Sequence, residues 1–171
     1  MAVVFDASVL VDLFSKKLAG DRRARLDNLV ETLSKQRTKV LIPTPALAEF
    51  LVRAGPAREG FLQALSRSST FSVVPFDQKA AVECALLLSE AWSRNQQTKV
   101  THTKFKFDWQ IVAIAASRNA TAIYSDDLDI SRAAARVDIR VCTTDSLPIP
   151  TSTLQKPLHF EPPGDAEGHH E

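Results

Sequence analysis

Short apolar runs alternate along the chain with stretches in which apolar residues recur at helical spacing. Val3-Val4-Phe5 reads as a buried strand that stops at Asp6, and Val9, Leu10, Leu13 and Phe14 then mark a first helix. Leu26, Leu29, Val30 and Leu33 form one face of an amphipathic helix running from Asp21 to about Arg37. A second strand, Lys39 to Ile42, ends at Pro43. Thr44 and Pro45 then supply an N-cap and a first-turn proline for a helix that carries Glu49 and stops near Gly55-Pro56. A helix from Arg58 to Arg67 and a third strand, Phe71 to Val74, follow, and Asp77 is placed to cap a long helix through Ala80, Cys84, Leu87 and Leu88. Arg94 to Lys106 reads as a polar, acid-free loop leading into an apolar helix that opens with Asp108 in its first turn. Thr121 to Tyr124, Leu128 to Ala135 and Ile139 to Cys142 complete the pattern as strand, helix and strand.

Strands alternating with helices imply an α/β architecture around a parallel sheet of four or five strands, with a functional crevice beyond the strands' carboxyl ends. Composition bounds the rest. A chain of 171 residues with 44% hydrophobic content can bury one core without disulfides or structural zinc. Residues 1–148 are expected to form that domain, and 149–171, rich in Pro, Gly, Glu and His, a flexible tail. No apolar run reaches the length of a membrane span, and Met1 leads directly into a strand, so no membrane association and a cytoplasmic location are expected. Cys84 and Cys142 lie far apart in apolar contexts and read as small buried hydrophobes of a reducing compartment. A formal charge of +1 leaves nucleic-acid binding to local patches.

Candidate chemistry rests on carboxylates set beside apolar segments, where they are costly to bury: Asp6, Glu49, Asp108 and the Asp126/Asp127 pair. Asp6 and the pair both follow strands, so a doubly wound sheet brings them to one edge, and Glu49 and Asp108 can face the same crevice from helices. Two or three carboxylates with water suit Mg²⁺ or Mn²⁺. Zinc is disfavoured, since His102 stands in a loop and His159, His169 and His170 in the tail. A metal so held can activate water for phosphodiester hydrolysis. Ser8 and Ser125, each close to an acid, can orient a ligand carboxylate or cap a helix. Each acid also has an ordinary role available: a strand-end turn for Asp6, a dipole-stabilised first-turn acid for Asp108, N-caps for Asp126 and Asp127, and a buried arginine pair for Glu49, whose apolar neighbours argue against a surface role. Asp12 and Asp129 are assigned to solvent. Two basic patches can attract RNA: Lys16, Lys17, Arg22, Arg23 and Arg25, and, more directly in line with Asp108, Arg94, Lys99, Lys104 and Lys106. Trp109 or Phe105 can stack a base, and Trp109 can equally be core.

Taken together, these residues resemble the PIN domain, the small metal-dependent ribonuclease fold that includes the VapC-type toxins of toxin–antitoxin pairs. The resemblance runs from residue 2 to about 143. It is carried by Val3-Val4-Phe5-Asp6-Ala7-Ser8, by Pro43-Thr44-Pro45-Ala46-Leu47-Ala48-Glu49, by Phe107-Asp108-Trp109-Gln110-Ile111-Val112-Ala113-Ile114-Ala115, and by Ser125-Asp126-Asp127, with Ser where the family has Thr. It implies a three-layer α/β/α sandwich and Mg²⁺- or Mn²⁺-dependent endonucleolytic cleavage of RNA. The ligands it implies are Asp6, Glu49, Asp108 and Asp127, with Asp126 an extra carboxylate, which leaves open whether Asp127 or Asp126 reaches the metal. It also implies a homodimer and, for a toxin member, an antitoxin protein laid over the active site. The additional length of this chain leaves other PIN subgroups open. A PIN-like scaffold that binds RNA or protein without cutting is the competing expectation. A phosphorylated receiver domain fits poorly, because it expects an acidic pair before the first helix that Asp6-Ala7-Ser8 lacks, and it gives Glu49 no role.

Overall fold

The computed structural model describes residues 1–93 and 102–150. Five strands form one wholly parallel sheet: β1 (Ala2–Phe5), β2 (Lys39–Pro43), β3 (Phe71–Val74), β4 (Ala122–Tyr124) and β5 (Arg140–Cys142), in the order β3-β2-β1-β4-β5. Among the described residues seven α-helices connect and cover them: α1 (Ala7–Phe14), α2 (Gly20–Lys35), α3 (Thr44–Ala54), α4 (Arg58–Arg67), α5 (Gln78–Ser93), α6 (His102–Ser117) and α7 (Leu128–Ala134). The strand order reverses between β1 and β4, where Phe5 lies beside Tyr124. Asp6 and Ser125 are therefore the next residues on either side of the switch point.

Alternation along the strands divides the core. Val3, Phe5, Val40, Ile42, Ala122 and Tyr124 point to one face with Leu10, Leu26, Phe50 and Phe61, whereas Val4, Leu41 and Ile123 point to the other with Cys84, Leu87, Val112, Ile114 and Ile130. The result is the expected α/β/α sandwich. Buried leucines Leu26, Leu29 and Leu33 hold α2 on the first face, each contributing roughly 1.5–3 kcal/mol by leaving water. On the same face the rings of Phe14, Phe50 and Phe61 pack together, with centroids 4.2 Å apart for Phe50 and Phe61.

Helix ends explain several differences from the sequence expectation. α2 stops at Lys35 because Arg37 takes a left-handed conformation (φ 53°), and the Thr38 N–H returns to the Leu33 carbonyl. Thr44 does not cap α3. Pro43 occupies that place, and the Thr44 hydroxyl accepts a hydrogen bond from the Phe76 N–H at 3.3 Å. Asp77 does cap α5, accepting from the Ala80 N–H at 3.0 Å. The loop expected up to Lys106 is shorter, since α6 begins at His102. Asp108 thus sits two turns inside the helix, beyond the reach of the dipole, and its first-turn reading is corrected. From residue 151 the expected tail lies outside the described residues.

Candidate active site

The carboxyl ends of β1 and β4 meet through two serine hydroxyls. Asp6, buried at 5% exposure, caps α1. Its Oδ2 accepts from the Ser8 hydroxyl at 3.0 Å and from the Ser125 hydroxyl at 2.9 Å. Each serine oxygen in turn accepts a backbone N–H from the β4–α7 turn: Ser8 from Asp126 at 3.1 Å, and Ser125 from Asp127 at 3.0 Å. Each hydroxyl thus donates once and accepts once, which suits a fully buried Ser125. Both serines therefore orient the carboxylate and brace the opposite turn. Because both hydroxyls address Oδ2, Asp6 Oδ1 accepts no hydrogen bond among the described residues.

The two acids after β4 part company. Asp127 caps α7, accepting from the Asp129 N–H at 2.8 Å. Asp126 turns away. Its Oδ1 accepts from the Thr144 N–H at 2.7 Å, and its Oδ2 accepts from the Thr144 hydroxyl at 2.9 Å and from Arg22 Nη2 at 2.6 Å. Arg22 also donates from Nε to Asp12 at 2.7 Å and from Nη1 to Asp145 at 3.1 Å. Partial desolvation opposes the Arg22 charge. The hydrogen bond to Asp12 and the charges of Asp126 and Asp12 together outweigh it and raise the guanidinium pKa above its ordinary value. Asp12 is accordingly an ion-pair partner and not a solvent-facing acid, and Asp129 pairs with Arg132 at 2.8 Å.

The helix-borne acids sit differently. Glu49 is half exposed and bonded to Arg53 at 2.6 Å, one turn along α3. The inference that its apolar neighbours exclude a surface position is corrected: α3 buries Pro45, Ala46 and Phe50 but leaves Val52 79% exposed, so its outward stripe is apolar too. Asp108 is buried at 8% exposure on α6, a helix that packs against α3, α7 and β4. Trp109 is core at 4% exposure, with Arg136 lying 5.5 Å over its ring, so it is no stacking platform. Arg94 and Lys99 lie outside the described residues, and Lys104 and Lys106 fall in the opening turns of α6. The other basic patch is largely committed. Arg23 donates to the Leu13 carbonyl at 2.8 Å and to Ser15 at the end of α1, and Arg25 donates to the Leu147 carbonyl at 2.6 Å and to that of Asp145. Thr144 is a site neighbour that the sequence does not signal, and Arg22, expected in an RNA-attracting patch, is instead bonded to Asp12, Asp145 and Asp126; nothing in the local spacing links either residue to Asp126.

Among the described residues no three His, Cys, Asp or Glu side chains are gathered closely enough to cage an ion. The donors at the switch point are nevertheless all oxygens, and that chemistry fits Mg²⁺ or Mn²⁺. Such ions keep several waters and need only one or two carboxylates besides a substrate phosphate. Asp6, held through one oxygen with the other left over, has the form of such a ligand.

The PIN domain family profile matches residues 3–136, most of the chain. This chain belongs to the PIN domain family. Solved structures agree on the fold. A VapBC2 structure from Rickettsia felis, bound to a DNA fragment from its promoter, is 17% identical at a TM-score of 0.60, covering 84% of this chain and 98% of its own. A DNA-bound VapBC from Salmonella typhimurium is 18% identical at 0.58, with coverages of 84% and 98%. Mycobacterium tuberculosis VapC20, a toxin that cleaves the sarcin-ricin loop, is 18% identical at 0.53, with coverages of 77% and 94%. No curated protein sequence matches the chain. Among the described residues, no helix of this PIN domain is long and apolar enough to cross a membrane.

Proposed function

We propose that this PIN domain is a metal-dependent endoribonuclease that hydrolyses RNA phosphodiester bonds at the β1/β4 switch point. One observation carries the reading: buried Asp6 is fixed through Oδ2 by two serine hydroxyls, and its other oxygen takes no hydrogen bond from the described residues. Family membership supports it. Asp6, Asp108 and Asp127 are the proposed Mg²⁺ or Mn²⁺ ligands, with Glu49 joining once it leaves Arg53. When bound, the ion lowers the pKa of a coordinated water and offsets charge on the phosphoryl oxygens. Ser8 and Ser125 keep Asp6 in one orientation, so its position costs no rearrangement when RNA arrives. Lys104 and Lys106 draw the RNA backbone toward α6, with Arg94 and Lys99 adding charge in the segment before it.

The VapBC structures among the structural neighbours favour a toxin partnered by an antitoxin protein, and the resemblance to the family adds a homodimer to this proposal. The two free cysteines suit a reducing cytoplasm. The Glu49–Arg53 bond favours a second reading, a scaffold that binds RNA or protein without cutting. Purified protein incubated with single-stranded and structured RNA, with Mg²⁺, Mn²⁺ or EDTA, separates the two. Cleavage that needs the metal and disappears in Asp6→Asn supports the nuclease, and binding without cleavage supports the scaffold.

A further inference from the structure

The two carboxylates after β4 are chemically alike and adjacent, yet their surroundings differ. Asp126 is bolted from both ends. Its N–H meets the Ser8 hydroxyl, and its carboxylate accepts from the Thr144 N–H, the Thr144 hydroxyl and the Arg22 guanidinium. Thr144 is 1% exposed, so withdrawing Asp126 would leave a buried N–H and hydroxyl without their acceptor. Arg22 sits at the start of α2 and also grips Asp12 on α1 and Asp145 in the turn after β5. One guanidinium against three carboxylates leaves this cluster net negative, which excludes it as a seat for an RNA phosphate. Turning Asp126 toward a cation would break all three of its acceptor bonds.

We propose that Asp126 is a positioning residue and not a metal ligand: with Arg22 and Thr144 it clamps the turn on which Ser125 and Asp127 stand. The consequence reaches Asp6. Ser125 and Ser8, which hold the Asp6 carboxylate, are themselves bonded to the backbone of residues 127 and 126. A turn loosened at residue 126 therefore loosens the orientation of Asp6 from the opposite strand. The clamp spans 104 residues of chain between Arg22 and Asp126, and joins α1, α2 and the segment after β5 to one turn.

The proposal rests on the metal-site reading, and a double-mutant cycle on the full-length chain separates the fate of the two. Mn²⁺ affinity, thermal melting in EDTA, and the amide NMR shifts of Ser125 and Asp127 are measured for wild type, Arg22→Met, Asp126→Asn and the double variant. A positioning role gives each single variant a loss of Mn²⁺ affinity of about tenfold, the scale of outer-shell changes at metal sites. Each single variant should also melt about 3–6 °C lower, both amides should shift, and the double variant should be little worse than either single one. Should Arg22→Met fail to fold, Arg22→Lys, which keeps one donor for Asp126, should fall between wild type and Asp126→Asn. Loss of Mn²⁺ binding in Asp126→Asn with no loss in Arg22→Met would overturn the proposal, because it would make Asp126 a ligand. Lower melting with unchanged affinity and unshifted amides would overturn it too, leaving a stabilising ion pair only. If wild type binds no Mn²⁺, the metal-site reading fails, and the shared amide shifts and non-additive melting still decide the clamp.

Discussion

The two groups of proposed ligands are built by different means. On the sheet side, Asp6, Ser8, Ser125 and residues 126–127 form a closed set of hydrogen bonds across adjacent parallel strands, with Asp6 and Ser125 buried. Among the helix-borne acids, Asp108 is buried on α6, and Glu49 stands on α3, where an exposed arginine holds it. On the proposed reading the sheet group is preorganised, and the helix acids would complete the site when ligand arrives. A site divided in this way should lose most when its fixed half is disturbed, and should tolerate adjustment of its movable half.

The largest effect belongs to the fixed carboxylate. Asp6→Asn should lower RNA cleavage by more than about a thousandfold, because a neutral amide cannot replace the anion facing the metal, while far-UV circular dichroism stays unchanged. Asp108→Asn removes a proposed ligand charge outright, as distinct from adjusting its position, and should match it within about tenfold; a nearly full rate in either variant would contradict the proposed ligand set. Next comes Ser125→Ala, which leaves Oδ2 of Asp6 one donor short and the Asp127 N–H without its acceptor. It should cost about 1–3 kcal/mol in denaturant unfolding and about 10–100-fold in cleavage, and an Asp6 still fully active without Ser125 would show that its orientation does not depend on the turn. The movable half should respond less. Arg53→Met releases Glu49 from an exposed pair, so stability should change by less than about 1 kcal/mol and cleavage should hold or rise, whereas a fall would mean that the pair belongs to the active arrangement. Smallest is a pH effect remote from the crevice. The Ala80 N–H, and then the Arg118 guanidinium, hold the Asp77 carboxyl below its ordinary pKa. Its contribution is complete above the unfolded value near 4 and is lost as pH falls through the lower folded value, so Asp77→Asn should melt below wild type at pH 7 and converge with it toward pH 2.

Much of this could be read from the chain because the largely buried central strands β1, β2 and β4 are written as short apolar runs, and the more exposed edge strands β3 and β5 still carry Val73, Val74 and Val141. All five appear within a residue or so of their observed ends, and the acids that follow two of them fall at the switch point for the same reason. Helix starts were harder. His102 to Phe107 contains neither Gly nor Pro, so nothing stops α6 from beginning before the apolar run that made Asp108 look like a first-turn residue. Glu49 misled because apolar sequence neighbours do not reveal which stripe of a helix is covered, and Val52 shows that the outer stripe can be apolar as well. Arg22 was invisible as a partner of Asp126 because an ion pair across so long a stretch of chain is a property of the fold and leaves no periodic trace.

The central claim is that carboxylates at the β1/β4 switch point hold a divalent ion that cuts RNA. The most direct test follows cleavage of a labelled RNA by wild type and Asp6→Asn across a Mn²⁺ titration that begins from EDTA-treated protein. Cleavage that rises with Mn²⁺ in wild type and stays at the background level in Asp6→Asn is the predicted result. Equal cleavage by both proteins, or wild-type cleavage undiminished in EDTA, would contradict it.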